Sequence, residues 1–214
     1  PWVEEFRNSK LPGSSYIFEP STEESWEKVI RPRNTSLFTP LQTKKRKAYV
    51  WTTFGPDQID LNWKNPYLLI EFLNIIVRYL KSGVRWIRLD AIGYIWKEAG
   101  TTCLHNCEAH QIVSALRVQL ESLTQKGVVV TETNVPHLEN ISYLSPGNEA
   151  NLAYNFSLPP LLLESLLSKK ADLINLWLSK WPIFPKNTSF LNFTASHDGI
   201  GLRAIEGLID KCCK

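Results

Sequence analysis

Methionine is absent from this chain, cysteine is scarce, and no apolar run is long enough to cross a bilayer. A spanning helix needs about 18 or more consecutive apolar residues. The nearest approach, residues 158–163, is short and carries Pro159 and Pro160, so no membrane span is expected. The basic-then-apolar pattern of a signal peptide is also missing. With no methionine and with Pro1 as its first residue, the sequence is expected to be a fragment of a longer polypeptide. The four cysteines, Cys103, Cys107, Cys212 and Cys213, lack the spacing of a disulfide framework, and adjacent cysteines rarely bridge each other. A reducing, cytoplasmic setting is the expectation. The Asn-X-Ser/Thr triplets at Asn34, Asn140, Asn155, Asn187 and Asn192 are then coincidental. A formal charge of +3 is too small to argue for a nucleic-acid partner. The single basic run, Lys44-Lys45-Arg46-Lys47, reads as a solvated loop rather than a phosphate-binding patch. Nothing in the sequence speaks to oligomeric state.

What is present is ordinary globular material. Apolar residues make up 43% and charged residues 21% of 214 positions, enough for one large domain or two small ones. Residues 1 to about 55 are proline-rich, with scattered aromatics (Trp2, Phe6, Tyr16, Phe18, Trp26, Phe38) and no sustained period. They read as an irregular excursion held by aromatic contacts, with a short helical turn capped by Ser21. A strand is predicted at 49–54, stopped by Gly55-Pro56.

From Pro66 the pattern becomes regular. Leu69, Phe72, Leu73, Ile76 and Leu80 have the spacing of an amphipathic helix. A second helix is predicted over 107–124, and a third helical region over 161–180 with a break near Ala171. Between them lie strands at 83–91, 128–132, 151–156 and 190–194. Strands alternating with helices argue for βαβ units and a parallel sheet.

The chemistry gathers at the ends of these strands. Arg88 and Asp90, two residues apart in a strand, project from one face. A guanidinium beside a carboxylate keeps it ionised, as a carboxylate nucleophile requires. A structural ion pair would look the same. Glu132 and Asp198 follow two further predicted strands. In β/α barrels the active site is built at the C-terminal strand ends, so three such acids would share one pocket. Converging carboxylates suit glycosidic bond chemistry, in which one attacks and another protonates the leaving oxygen at about 5–5.5 Å separation. Clustered acids also suit divalent metals, but Arg88 and His197 beside them favour a sugar. A second cluster, Cys103, His105, Cys107 and His110, is packed too tightly along one segment to surround a zinc ion. It reads as helix capping and packing.

Arg88-Leu89-Asp90-Ala91, Glu132-Thr133-Asn134 and His197-Asp198-Gly199 resemble three of the four signature regions of the α-amylase clan, glycoside hydrolase family thirteen. More narrowly, Trp51-Thr52-Thr53-Phe54, Asp57-Gln58-Ile59-Asp60-Leu61, Lys97-Glu98-Ala99-Gly100-Thr101 and Ser157-Leu158-Pro159-Pro160-Leu161 resemble its sucrose phosphorylase branch. Thr131-Glu132-Thr133-Asn134-Val135-Pro136-His137 with Asn140-Ile141-Ser142-Tyr143 is similar to the glucosylglycerate phosphorylase-like members.

The resemblance implies an α/β fold, a partial (β/α)8 TIM barrel of about strands four to seven. Residues 1–60 would form a domain-B-like excursion between barrel strand three and helix three, and 61–214 the partial catalytic barrel. It implies Asp90 as nucleophile, Glu132 as acid/base, Asp198 as transition-state stabiliser, and Arg88 and His197 as substrate-binding residues. The implied reaction is retaining phosphorolysis of an α-glucoside, with inorganic phosphate as the second substrate and no metal or organic cofactor. A hydrolase or transglucosylase of the same clan, or an inactive amylase-like binding subunit, are the alternatives. The family's first signature region is missing, and a whole barrel takes about 250 residues. The segment alone is therefore expected to be inactive, although the protein it comes from is expected to be an enzyme.

Overall fold

The structure is a computed structural model that describes residues 1–206. Cys212 and Cys213 lie outside the described residues. The chain forms two compact units, one of Pro1–Arg78 with Gly93–Ala109, the other of Tyr79–Ile92 with the chain from His110 onward.

The first unit is more regular than its sequence pattern predicts. It holds two short helices, α1 (Trp2–Arg7) and α2 (Gly13–Tyr16), and an antiparallel hairpin of β1 (Phe38–Gln42) and β2 (Lys47–Trp51). β1 escapes a composition-based reading because Pro40 lies inside it. Among the described residues the strand pairs only with β2, and proline is tolerated on such an edge. The basic run forms the hairpin turn, where the Arg46 guanidinium binds the carboxylate of Glu19. Lys44 and Lys45 are exposed. Thr52, Thr53 and Phe54 leave the predicted strand because the Thr53 N–H donates to Asp60 at 2.7 Å instead of continuing the ladder. Ser21 caps no helix. Its hydroxyl accepts the Glu23 N–H at 3.2 Å in a simple turn, and Trp26 packs edge-on to Trp51 at 4.9 Å. The long helix α3 (Pro66–Lys81) follows, with proline at the first turn, where its missing N–H costs nothing.

The second unit contains a four-stranded parallel sheet in the order β3 (Trp86–Leu89), β4 (Val128–Thr131), β5 (Leu152–Tyr154), β6 (Ser189–Leu191). α4 (Cys107–Leu123) precedes β4, and α5 (His137–Ile141) precedes β5. α6 (Leu158–Ser168) and α7 (Asp172–Leu178) lie between β5 and β6. All four predicted strands are present but shorter. α5 occupies a stretch that reads as loop in the sequence. Lys169, in the left-handed conformation at φ 56°, closes α6 and produces the predicted break.

Register fixes which residues share a face. Arg88 pairs with Val130, Val130 with Leu152, and Leu152 with Ser189. Two residues on, Tyr154 and Leu191 lie opposite each other on that same face. The other face carries Thr131, Ala153 and Phe190, all buried. That face is buried from β4 to β6 and half-buried at β3, while Trp86 on the other face is 56% exposed. Among the described residues no helix is long and apolar enough to cross a membrane.

Candidate active site

Two of the three predicted acids directly follow strands of this sheet, Asp90 after β3 and Glu132 after β4, while Asp198 comes seven residues after β6. β3 ends at Leu89, and Asp90 follows it. The Arg88 guanidinium hydrogen-bonds the Asp90 carboxylate, as their shared face requires. Arg88 also lies over the ring of Tyr154, its guanidinium carbon 5.5 Å from the ring centre. Burial works against the arginine's charge, but hydrogen bonding to Asp90 and attraction to Asp90 and Glu132 outweigh it and raise its pKa.

β4 ends at Thr131, and Glu132 follows. Its N–H donates to the Leu89 carbonyl at 3.0 Å, and its Oε2 accepts the Ala91 N–H at 3.0 Å. Burial pushes the Glu132 carboxyl above the usual range. The negative charges of Asp90 and Asp198 push it further, against the Ala91 N–H and Arg88. The two strand ends are therefore stitched together through the residues that flank Asp90, whose own carboxylate is exposed and bound to Arg88 and does not line the cleft that Glu132 enters.

Asp198 sits in the turn after β6. The Ser196 hydroxyl accepts the Asp198 N–H at 3.3 Å, and the Gly199 N–H closes the turn on the Ser196 carbonyl at 3.2 Å. Gly199 has φ 77°, a conformation glycine adopts without penalty. His197 Nε2 lies 3.1 Å from Asp198 Oδ2, and both side chains are exposed. Arg88, Glu132, Tyr154, Phe193, His197 and Asp198 line one open cleft of about 330 Å³.

Sequence reasoning missed Tyr154, Phe156 and Phe193. They form an aromatic cluster with ring centres 5.4–5.7 Å apart. The signal was available, because Tyr154 follows Leu152 and Phe193 follows Leu191 by the two-residue period of a strand face. Motif residues without chemistry prove structural. The Asn140 amide donates to the Tyr154 carbonyl at 2.7 Å, and its oxygen accepts the Thr133 hydroxyl at 2.8 Å. The buried Ser157 hydroxyl donates to the Ala204 carbonyl at 2.9 Å.

The cysteine–histidine segment disperses. Cys103 is buried, its thiol donating to the Glu98 carbonyl at 3.4 Å. The ring of His105 lies against Gly93. In the second unit, His110 pairs with Glu149 at 2.6 Å and stacks on Tyr143 at 4.2 Å. Among the described residues no three such side chains gather as metal ligands.

Residues 16–199 match the family model described as alpha-amylase, "Alpha amylase, catalytic domain". The chain belongs to that family. It is 42% identical to glucosylglycerate phosphorylase of Allomeiothermus silvanus over 212 residues, 98% of this chain and 38% of that protein. It is also 42% identical to glucosylglycerate phosphorylase of Escherichia coli over 183 residues, 85% of this chain and 33% of that protein. The chain thus spans roughly a third of the length of the curated relatives it matches. In fold it is similar to sucrose 6F-phosphate phosphorylase from Thermoanaerobacter thermosaccharolyticum, with a TM-score of 0.82 and 23% identity. That match covers 99% of this chain and 44% of the other. The four parallel strands are part of an α-amylase-type (β/α) barrel.

Proposed function

We propose that the complete protein is a retaining α-glucoside phosphorylase, acting on glucosylglycerate or a close analogue. The observation that carries this reading is the pairing of two carboxyls in opposed surroundings. Asp90 is held by a guanidinium, whereas burial raises the pKa of Glu132 beside it. A carboxylate fixed by a guanidinium suits the nucleophile, and a carboxyl whose pKa is raised by burial suits the general acid. The 42% identity to two glucosylglycerate phosphorylases supports the choice of substrate.

In the first displacement Asp90 attacks the anomeric carbon and forms a β-glucosyl ester. The bond to the aglycone breaks, its electron pair leaves with the aglycone oxygen, and Glu132 protonates that oxygen. In the second, a phosphate oxygen attacks the same carbon and transfers its proton to Glu132. The ester electrons return to Asp90, and α-glucose 1-phosphate leaves with net retention. Asp198 stabilises the positive charge that develops on the ring. Arg88 orients Asp90, and His197 binds the sugar.

The sheet corresponds, in this reading, to barrel strands four to seven, and residues 1–60 to the excursion between strand three and helix three. The activity belongs to the whole barrel, of which this chain is one portion. The test is incubation of the complete protein with α-glucose 1-phosphate and glycerate, fructose or glycerol. Phosphate release with glycerate is expected. No release with any acceptor, together with hydrolysis of an aryl α-glucoside, overturns the proposal in favour of a hydrolase.

A further inference from the structure

Ala91 follows Asp90 and sits at φ 47°, a left-handed conformation that residues with a Cβ seldom adopt. In that conformation its N–H meets Oε2 of Glu132 at 3.0 Å. The peptide of Glu132 answers it, donating to the Leu89 carbonyl at 3.0 Å. Glu132 is therefore held at two points, through its backbone and through one carboxyl oxygen, by residues that flank Asp90.

We propose that Ala91 is a positioning residue whose backbone N–H fixes Oε2 of Glu132 as the accepting oxygen, leaving Oε1 to carry the transferred proton. The proposal rests on Glu132 being the acid/base of the reaction above. A protonated carboxyl has one hydroxyl oxygen and one carbonyl oxygen, and the carbonyl is the better acceptor. An amide N–H can only donate, so the oxygen it faces takes the carbonyl role and the proton goes to the other. When Oε1 gives its proton to the departing aglycone oxygen, the amide bond strengthens because its acceptor has become charged. When phosphate attacks, Oε1 takes the proton back from the phosphate oxygen as the new C–O bond forms. One oxygen serves both half-reactions, with no rotation of the carboxyl between them.

The charged groups facing Glu132 are Arg88 from β3, Asp90 just after it and Asp198 from the turn after β6. Burial has the largest influence on its titration and disfavours the charged form, and the Ala91 N–H is the strongest of the influences that oppose it.

The test uses the complete protein with the Ala91 amide replaced by an ester, through incorporation of lactic acid at that position. Carbon-13 resonances of labelled glutamate follow the Glu132 titration independently of turnover. The ester should raise the Glu132 pKa by about one unit and move the alkaline limb of kcat/KM by the same amount. Ala91→Gly, which keeps the N–H, should leave both in place. In the unmodified protein, the nitrogen-15 resonance of Ala91 should titrate in step with Glu132 and cease to do so in Glu132→Gln. An unchanged pKa in the ester, or an Ala91 resonance indifferent to Glu132, overturns the proposal. If the resonances behave as expected and no acceptor is glucosylated, the linkage stands and the functional reading falls.

Discussion

The ammonium of Lys97 stands 2.7 Å from Oδ1 of Asp60, with the two side chains only 2% and 16% exposed. Lys97 also donates to the Tyr94 carbonyl and lies 5.4 Å from the centre of the Trp51 ring. Asp60 in turn accepts the Thr53 hydroxyl at 2.9 Å and the Thr53 N–H at 2.7 Å. Three of the motifs that carry the phosphorylase resemblance thus meet in one buried polar network. Lys97→Met would leave the Asp60 carboxylate buried without its counter-charge. Removing one partner of a buried pair typically costs about 3–5 kcal/mol. The expected result is a fall in unfolding free energy of about that size, read from denaturant titration, and a loss below about 1 kcal/mol would contradict the network's role.

A second buried cation is neutralised differently. Arg117 donates to the carbonyls of Glu149 and Ala150 at 3.4 and 3.2 Å and to Glu121 at 2.8 Å. Arg117→Leu fills similar space but leaves two carbonyls without their donor. A cost of about 2 kcal/mol is expected, read as a shifted urea midpoint with an unchanged slope.

Glu132→Gln should separate function from stability. General acid catalysis contributes about 10²–10⁴-fold, and that much should be lost with glucosides whose leaving group needs a proton, but far less with a glucosyl fluoride. The folded state raises the pKa of this carboxyl, so it binds the proton more tightly than the unfolded chain does. The group's contribution to stability is full below its unfolded pKa and is lost as pH rises through the folded one. At neutral pH the substitution should therefore stabilise the protein, and the gain should vanish in acid. Thermal melts of both forms across the acid range test the sign.

Tyr154 supports Arg88 from below. A cation over an aromatic face is worth about 1 kcal/mol, so Tyr154→Leu should lower kcat/KM of the complete protein roughly fivefold. Tyr154→Phe keeps the ring and loses the hydroxyl, and should fall between. Equal activity in all three forms would show that Asp90 alone orients the guanidinium.

The parallel sheet was legible because its strands are apolar runs bounded by helices with clear 3.6-residue periods, as Leu69 to Leu80 show. Asp90 and Glu132 were legible because each follows the last residue of a strand, where the apolar runs stop, whereas Asp198 lies seven residues past Leu191, the end of β6. α1, α2 and β1 were not legible. α1 and α2 have six and four residues, too few for periodicity to emerge, and Pro40 inside β1 argues against a strand unless its edge is known to be free. The role of Tyr154 depends on the register between β5 and β4, and that of the Ala91 N–H on one backbone dihedral. Both are set by tertiary packing, and neither leaves a mark on local composition.

The sheet's spatial order, β3, β4, β5, β6, is also its order along the chain. During synthesis, each strand after β3 meets a partner already laid down, and the growing edge is the newest strand. Assembly can proceed as fast as translation, at about 5–20 residues per second, without waiting for a distant segment. What stays open throughout is the side bearing Trp86, which remains 56% exposed after the four strands have paired.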